Sequence, residues 1–307
     1  MNKRILGAAI AAMSWGVSLS AQAAVTWTFD VPPPGSAPCV QNTVAFGNNV
    51  SCTTTTGGAP TVVATAWANT TGILSGNTAN ATLNTAQVNV YPNTGVSGST
   101  VGLGVTNRGT TTTDPGEGGS PEHAIDNNST GATGTTITKD KAIYDSILLT
   151  FSSAIALTGV TIGWPGTTGY DTDISIAAYM GAGNGGSLLA GKTYAQLAAA
   201  GWTYVEHESN MTSNTQRLVN GATGTADTTS AATVTSKYWL VSAYNPTLNN
   251  DTSLTVGNDY FKLLSVAAAV SSPTAPSGTP EPAGLALVAV AALGASAAVR
   301  RRNKPAV

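Results

Sequence analysis

Eight short runs of β-branched and aromatic residues, each bounded by Gly, Asn, Asp or Pro clusters, constrain this chain most. They are Val25–Phe29, Ala86–Tyr91, Ser146–Phe151, Val160–Trp164, Ile174–Met180, Trp202–Glu206, Val234–Ser242 and Tyr260–Val270. Runs of this length and composition read as strands, and the clusters between them as turns. Tyr194–Ala200, stopped by Gly201, reads instead as a helical turn or two. The expectation is a mostly β fold of antiparallel strands, packed as a β-sandwich or jelly roll. Two stretches read as looser, each a long surface loop or a flexible insertion. These are Cys39–Ala86, centred on Thr53-Thr54-Thr55-Thr56-Gly57-Gly58, and Asn220–Ala232.

Composition sets the character of the surface. Charged residues make up 9% of the chain, and Thr alone supplies 47 of its 307 residues. An ordinary globular chain carries about 25% charged residues, so this surface is polar but weakly charged. Seven bases and fourteen acids lie between the terminal segments, a balance near −7 for the middle of the chain. Nucleic-acid binding needs a basic face and is excluded. Divalent cations are the more natural counter-charge.

Both ends read as addresses. Residues 1–24 open with Lys3 and Arg4, continue through the apolar run Ile5–Val17 and close on Ala21-Gln22-Ala23. That is the layout of a secretory signal peptide, with cleavage expected after Ala23 or Ala24. Only Cys39 and Cys52 are present, and a lone pair in an oxidising compartment is expected to bridge. A β-rich ectodomain then spans 25–270 and a Pro-rich spacer 271–282. The apolar stretch Ala283–Val299 follows, and a basic tail, 300–307, ends the chain. As a helix, that stretch would measure about 25 Å, a little less than the roughly 30 Å hydrocarbon core. Arg300, Arg301 and Arg302 would hold its end on the cytoplasmic side.

The order Pro280-Glu281-Pro282, apolar helix and terminal arginines resembles the PEP-CTERM sorting signal of Gram-negative bacteria. The resemblance implies a membrane-inserted precursor, recognised near the P-E-P by exosortase and delivered to the cell surface or extracellular matrix. A permanent anchor is the alternative use of the same tail. Blocks further in are similar to an exosortase-dependent surface-protein family. These are Gly102–Arg108, Glu117–Asn127, Leu148–Phe151, Val160–Trp164, Asp171–Asp173, Tyr238–Asn245 and Asp259–Leu264. That likeness implies a location more than an activity.

No enzyme is expected. The chain lacks a G-x-S-x-G elbow. His207 falls between Glu206 and Glu208, which alternation places on the opposite face of a solvent-exposed strand end. His123 lies in a Gly/Pro loop. Calcium is the cofactor the acids suggest, with Asp126, Asn127, Asp171 and Asp173 as candidate ligands, because the ion takes six to eight oxygens and loops can supply them. Turn-forming Asp and Asn that cap their own backbone are the plainer explanation. The alternative to a structural surface protein is a carbohydrate-binding module that holds exopolysaccharide. Trp164 and Tyr170 are its candidates for sugar stacking, although aromatics on strands more often belong to the core.

Overall fold

The computed structural model describes residues 23–29, 39–42, 44, 46–54, 58–69, 82–91, 101–107, 123–127, 143–165, 170–183, 189–222 and 234–270. The chain divides at Ser271/Ser272, and every described residue lies in the first unit. The leader 1–22, the Pro-rich spacer, Pro280-Glu281-Pro282, the apolar stretch and Arg300–Arg302 fall outside the described residues. Among the described residues, no helix is long and apolar enough to cross a membrane.

Among the described residues, fourteen strands follow one another: β1 (Ala23–Thr28), β2 (Cys39–Gln41), β3 (Asn49–Cys52), β4 (Val62–Ala68), β5 (Asn84–Thr85), β6 (Gln87–Tyr91), β7 (Gly102–Thr106), β8 (Ile125–Asp126), β9 (Asp145–Trp164), β10 (Ile174–Tyr179), β11 (Trp202–Glu208), β12 (Gln216–Leu218), β13 (Ser236–Ala243) and β14 (Tyr260–Val270). All strand pairs are antiparallel and join in one branched sheet. The mostly β, antiparallel expectation therefore holds.

Strand β9 organises the sheet. The runs Ser146–Phe151 and Val160–Trp164 belong to this single 20-residue strand. Its first half pairs with β13 on one side and β4 on the other, and its second half with β14 and β12. Ser152, Ser153 and Ala154, exposed between the two halves, mark the change of neighbours. One arm thus runs β11-β10-β13-β9-β4-β3-β2. In the other arm, β14 lies between β9 on one side and β1, β7 and β8 on the other, with β6 beyond β7.

Residues from both arms share one buried cluster. On β9, Ile147 and Leu149 join it, whereas Leu148 between them joins a second cluster with Leu240, Tyr194 and Leu197. The period of two is intact, but both faces are apolar, because the segment around Tyr194 covers the outer one. That segment consists of two 3-10 turns, Tyr194–Gln196 and Ala198–Ala200, ended by Gly201 at φ 97°. Only glycine takes that left-handed cap without a Cβ penalty.

The Thr-rich Cys39–Ala86 departs from expectation, because β2 to β5 all lie within it. Their buried positions are taken by Cys39, Val50, Cys52, Val62, Ala64 and Ala66, and only Thr65 and Thr85 of the many threonines in the stretch lie in strands. Cys39 and Cys52 stand directly opposite each other on β2 and β3 and form the expected disulfide, with S–S 2.06 Å. It closes a short loop, and both sulfurs are buried. Replacing both cysteines by serine should therefore cost roughly 2–3 kcal/mol in a urea melt. A loss below half of that would mean the hairpin holds itself.

Candidate functional site

Three carboxylates meet at one edge of the fold. Asp171, Asp173 and Asp259 each offer an oxygen, and these oxygens all lie within 4.8 Å of one another. Backbone pairing brings them together across a long sequence gap. Asp171 N–H donates to Asn258 O at 2.7 Å, and Tyr260 N–H donates to Asp171 O at 3.0 Å, which sets Asp259 beside Asp171. Asp173 and Asp259 are 1% and 0% exposed.

Backbone amides hold the carboxylates in place. Asp259 Oδ1 accepts from Asp173 N–H at 2.9 Å, and Asp173 Oδ1 accepts from Asn210 N–H at 2.8 Å. Asp171 Oδ1 accepts from Thr172 N–H at 2.8 Å. Burial pushes the Asp173 carboxyl up to about 6; the Asn210 amide opposes the rise and the charge of Asp171 adds to it. Burial, reinforced by the charge of Asp173, also holds Asp259 well above the ordinary carboxylate range. Two buried acids this close cannot both ionise cheaply, so either a proton or a cation must accompany them. Calcium–oxygen distances of about 2.3–2.6 Å fit three oxygens at this spacing.

The expected ligand set is therefore divided. Asp171 and Asp173 converge as expected, and Asp259 joins them. Asn127 is close by but occupied: Oδ1 accepts from Gly257 N–H and Asp259 N–H, each at 3.0 Å. Its Nδ2 donates to Tyr244 O at 3.0 Å and to Asp259 Oδ2. Its amide positions Asp259, and both ends of it are in use. Asp126 pairs with Tyr260 and shares the opposite face with that ring. Asp126 is not among the three acids that converge.

Of the two aromatic candidates, one is buried and one half-buried. Trp164 is 9% exposed, and the Lys262 ammonium lies 4.2 Å from its ring centroid. Tyr170, half-buried, packs against Tyr260 with ring centroids 4.4 Å apart. Trp164 therefore offers no open platform for a sugar, and the core explanation for strand aromatics applies to it.

His207 is not the exposed strand end that alternation suggested; it is half-buried between Tyr204 and Tyr244. Asn249 O lies 2.8 Å from Nε2 and can only accept, so Nε2 carries the proton and Nδ1 accepts from the Ser175 hydroxyl at 2.9 Å. Ser175 is fully buried and also accepts from Asn245 N–H. The pair ties down the 245–249 loop and leaves no hydroxyl for an external substrate to reach. Glu206 and Glu208 turn to other partners, the Asn220 amide and Arg217. His123, at φ 53°, bonds Thr106 Oγ1 at 2.8 Å.

Neither the protein-family models nor the curated proteins contain a match for this chain.

Proposed function

We propose that this is a non-enzymatic exported protein of the bacterial surface or extracellular matrix, processed by exosortase through its PEP-CTERM tail. The carrying observation is the order of addresses around a disulfide-bonded β domain. A leader precedes the first strand, and P-E-P, an apolar stretch and Arg300–Arg302 follow the last. Strands β1 and β14 support it, because Ala23 pairs with Val270. Both addresses therefore join the domain at neighbouring strand ends, and removing either leaves the β1–β14 ladder in place from Val25 onward.

Within this reading the two arms close on each other as a sandwich of the jelly-roll kind. Trp27 of β1 meets Phe151 of β9 edge-on at 5.0 Å, and both belong to the cluster shared by the arms. The acid group acts as a calcium staple that fastens the loops before β10 and β14. The exopolysaccharide-binding alternative keeps Tyr170 but loses Trp164 as an exposed partner.

Changing Pro280, Glu281 and Pro282 together to alanine tests the sorting reading. The apolar stretch and the arginines survive, so insertion should persist while an unprocessed, membrane-retained precursor accumulates. Proline fixes φ and removes a backbone donor, giving a protease a non-helical segment to read at the membrane face. If the variant reaches the surface at the parental level with its arginines attached, the tail is only an anchor.

A further inference from the structure

Alternation gives the arm that runs from β11 to β2 two faces. Cys39, Val50, Ala64, Leu149 and Trp239 point into the main cluster, so the residues between them point outward. In register these are Val40, Ser51, Val63, Thr150 and Tyr238, a single row across β2, β3, β4, β9 and β13. The Tyr194 segment packs on the same outer face further along, against Leu148 and Leu240. The row itself is open: Val40 is 70% exposed and the other four are half-buried. Val44 and Phe46, in the connection between β2 and β3, are 61% and 37% exposed. Apolar exposure gathered at one end of a domain marks an interaction surface. Charge separates the two ends of the same arm. Residues 31–107 contain no Asp, Glu, Lys, Arg or His. On the five strands of the row, Asp145 is buried and Lys237 is exposed at the far end, beside Tyr238. At the opposite edge, β11 carries Glu206 and Glu208. Edge strands are ordinarily guarded by charge, as β11 is; β2 is not.

We propose that a second copy of this chain covers this face, in an isologous pair that sets β2, β3 and β4 of each copy against the same strands of the other. Charge selects the occupant. The middle of the chain balances near −7, so two copies repel unless they meet where neither carries charge. Among the described residues, the acids that are not buried are Asp171, Glu206, Glu208 and Asp251, and none lies on β2, β3 or β4. Joining two neutral faces keeps these acids apart. Size sets the strength. Four inter-strand gaps of about 4.8 Å make the row about 19 Å wide. A patch of that width on each side offers roughly 400 Å² per partner, about half of what a standard interface buries. The pair is therefore weak and forms where copies are concentrated. None of this depends on how the tail is processed.

Sedimentation equilibrium of the full chain in mild detergent, over a wide range of concentration, tests this. The expected result is a monomer–dimer equilibrium in the micromolar range. Val40→Lys should weaken it at least about tenfold, because like charges brought together across an interface are strongly unfavourable. Its Tm should match the parent's, since the Val40 side chain is exposed. Met180→Lys, at a residue 54% exposed beyond β10, should leave the dimer unchanged. Mixing Val40→Lys with Val40→Asp should restore part of the association, which a face shared between copies allows. A chain that stays monomeric throughout overturns the proposal and leaves the face to another occupant, such as a polysaccharide. Association that survives Val40→Lys also overturns it, by placing the contact elsewhere, the tail included. So does a mixture that associates no better than either variant alone, because the two substituted faces would then not meet.

Discussion

In the presence of a chelator, acidifying this protein from pH 7 to pH 5 should raise its melting temperature. Most folds behave the other way, because their carboxylates are ionised and paired. Here Asp173 holds its proton up to about pH 6 in the folded state, against an ordinary value of 3.8, with burial as the main cause. The folded protein therefore binds more protons than the unfolded chain between roughly pH 4 and 6. Its stability is highest below that window and is lost as pH rises through it. For Asp173 alone the change between pH 7 and pH 5 is on the order of 1 kcal/mol. Asp259, Glu206 and Glu208, all raised mainly by burial, act in the same direction. His207 opposes them: burial lowers its pKa, so its contribution is lost as pH falls below about 6.5. The acids outnumber it.

Millimolar calcium should reverse that slope. A cation bound by Asp171, Asp173 and Asp259 replaces the proton and stabilises only the folded state, by RT ln(1 + [L]/Kd). Its effect should be greatest at pH 7 and fade by pH 5. Asp173→Asn separates the causes, since the amide can still accept from Asn210 and carries no charge. In chelator at pH 7 this variant should melt higher than the parent, and it should no longer respond to calcium. A parent that melts lower at pH 5 than at pH 7, with Asp173→Asn showing the same slope, would mean the acids are not the cause. A calcium response that survives the substitution would place the ion elsewhere.

Strands whose own side chains carry the signal were readable in the sequence. Ile174–Met180 and Val25–Phe29 became β10 and β1 within a residue or two at each end. The two halves of β9 read as separate because Ser152-Ser153-Ala154 looks like a break, although the chain stays extended through it. β3 and β4 were hidden by their setting, since Asn49–Cys52 and Val62–Ala68 flank the Thr-rich run around Thr53–Thr56 and the whole stretch was read as loop. In β4 the true signal was Val62-Val63-Ala64-Thr65-Ala66-Trp67, whose inward positions Val62, Ala64 and Ala66 are buried. For the site, Asp171 and Asp173 could be found from their spacing, since two residues apart in extended chain share a face. Asp259 could not. Its place beside Asp171 is set by an isolated bridge between distant segments, and no local pattern encodes that contact.

Trp27→Ala should cost about 3–5 kcal/mol, a large fraction of the roughly 5–15 kcal/mol that holds an ordinary domain together. The argument begins with position. β1 is the first described strand and pairs with β14, so its side chains must hold it down as much as its backbone does. Val25, Trp27 and Phe29 are buried while Thr26 and Thr28 are exposed, the alternation of a strand with one face on the core. Trp27 is the largest of the three. Its ring meets Phe151 edge-on, and its indole N–H donates to Pro60 O at 2.9 Å, so one side chain touches β1, β9 and the segment before β4. Removing it opens a cavity in the buried cluster to which both arms contribute, forfeits the aromatic contact and leaves a carbonyl to find water. Trp27→Phe keeps most of the apolar volume and should recover more than half of the loss. Urea unfolding of the two variants beside the parent measures both. If Trp27→Ala shifts stability by less than about 1 kcal/mol, far below the range for a buried tryptophan, the arms do not close over β1 and the sandwich reading falls with that result.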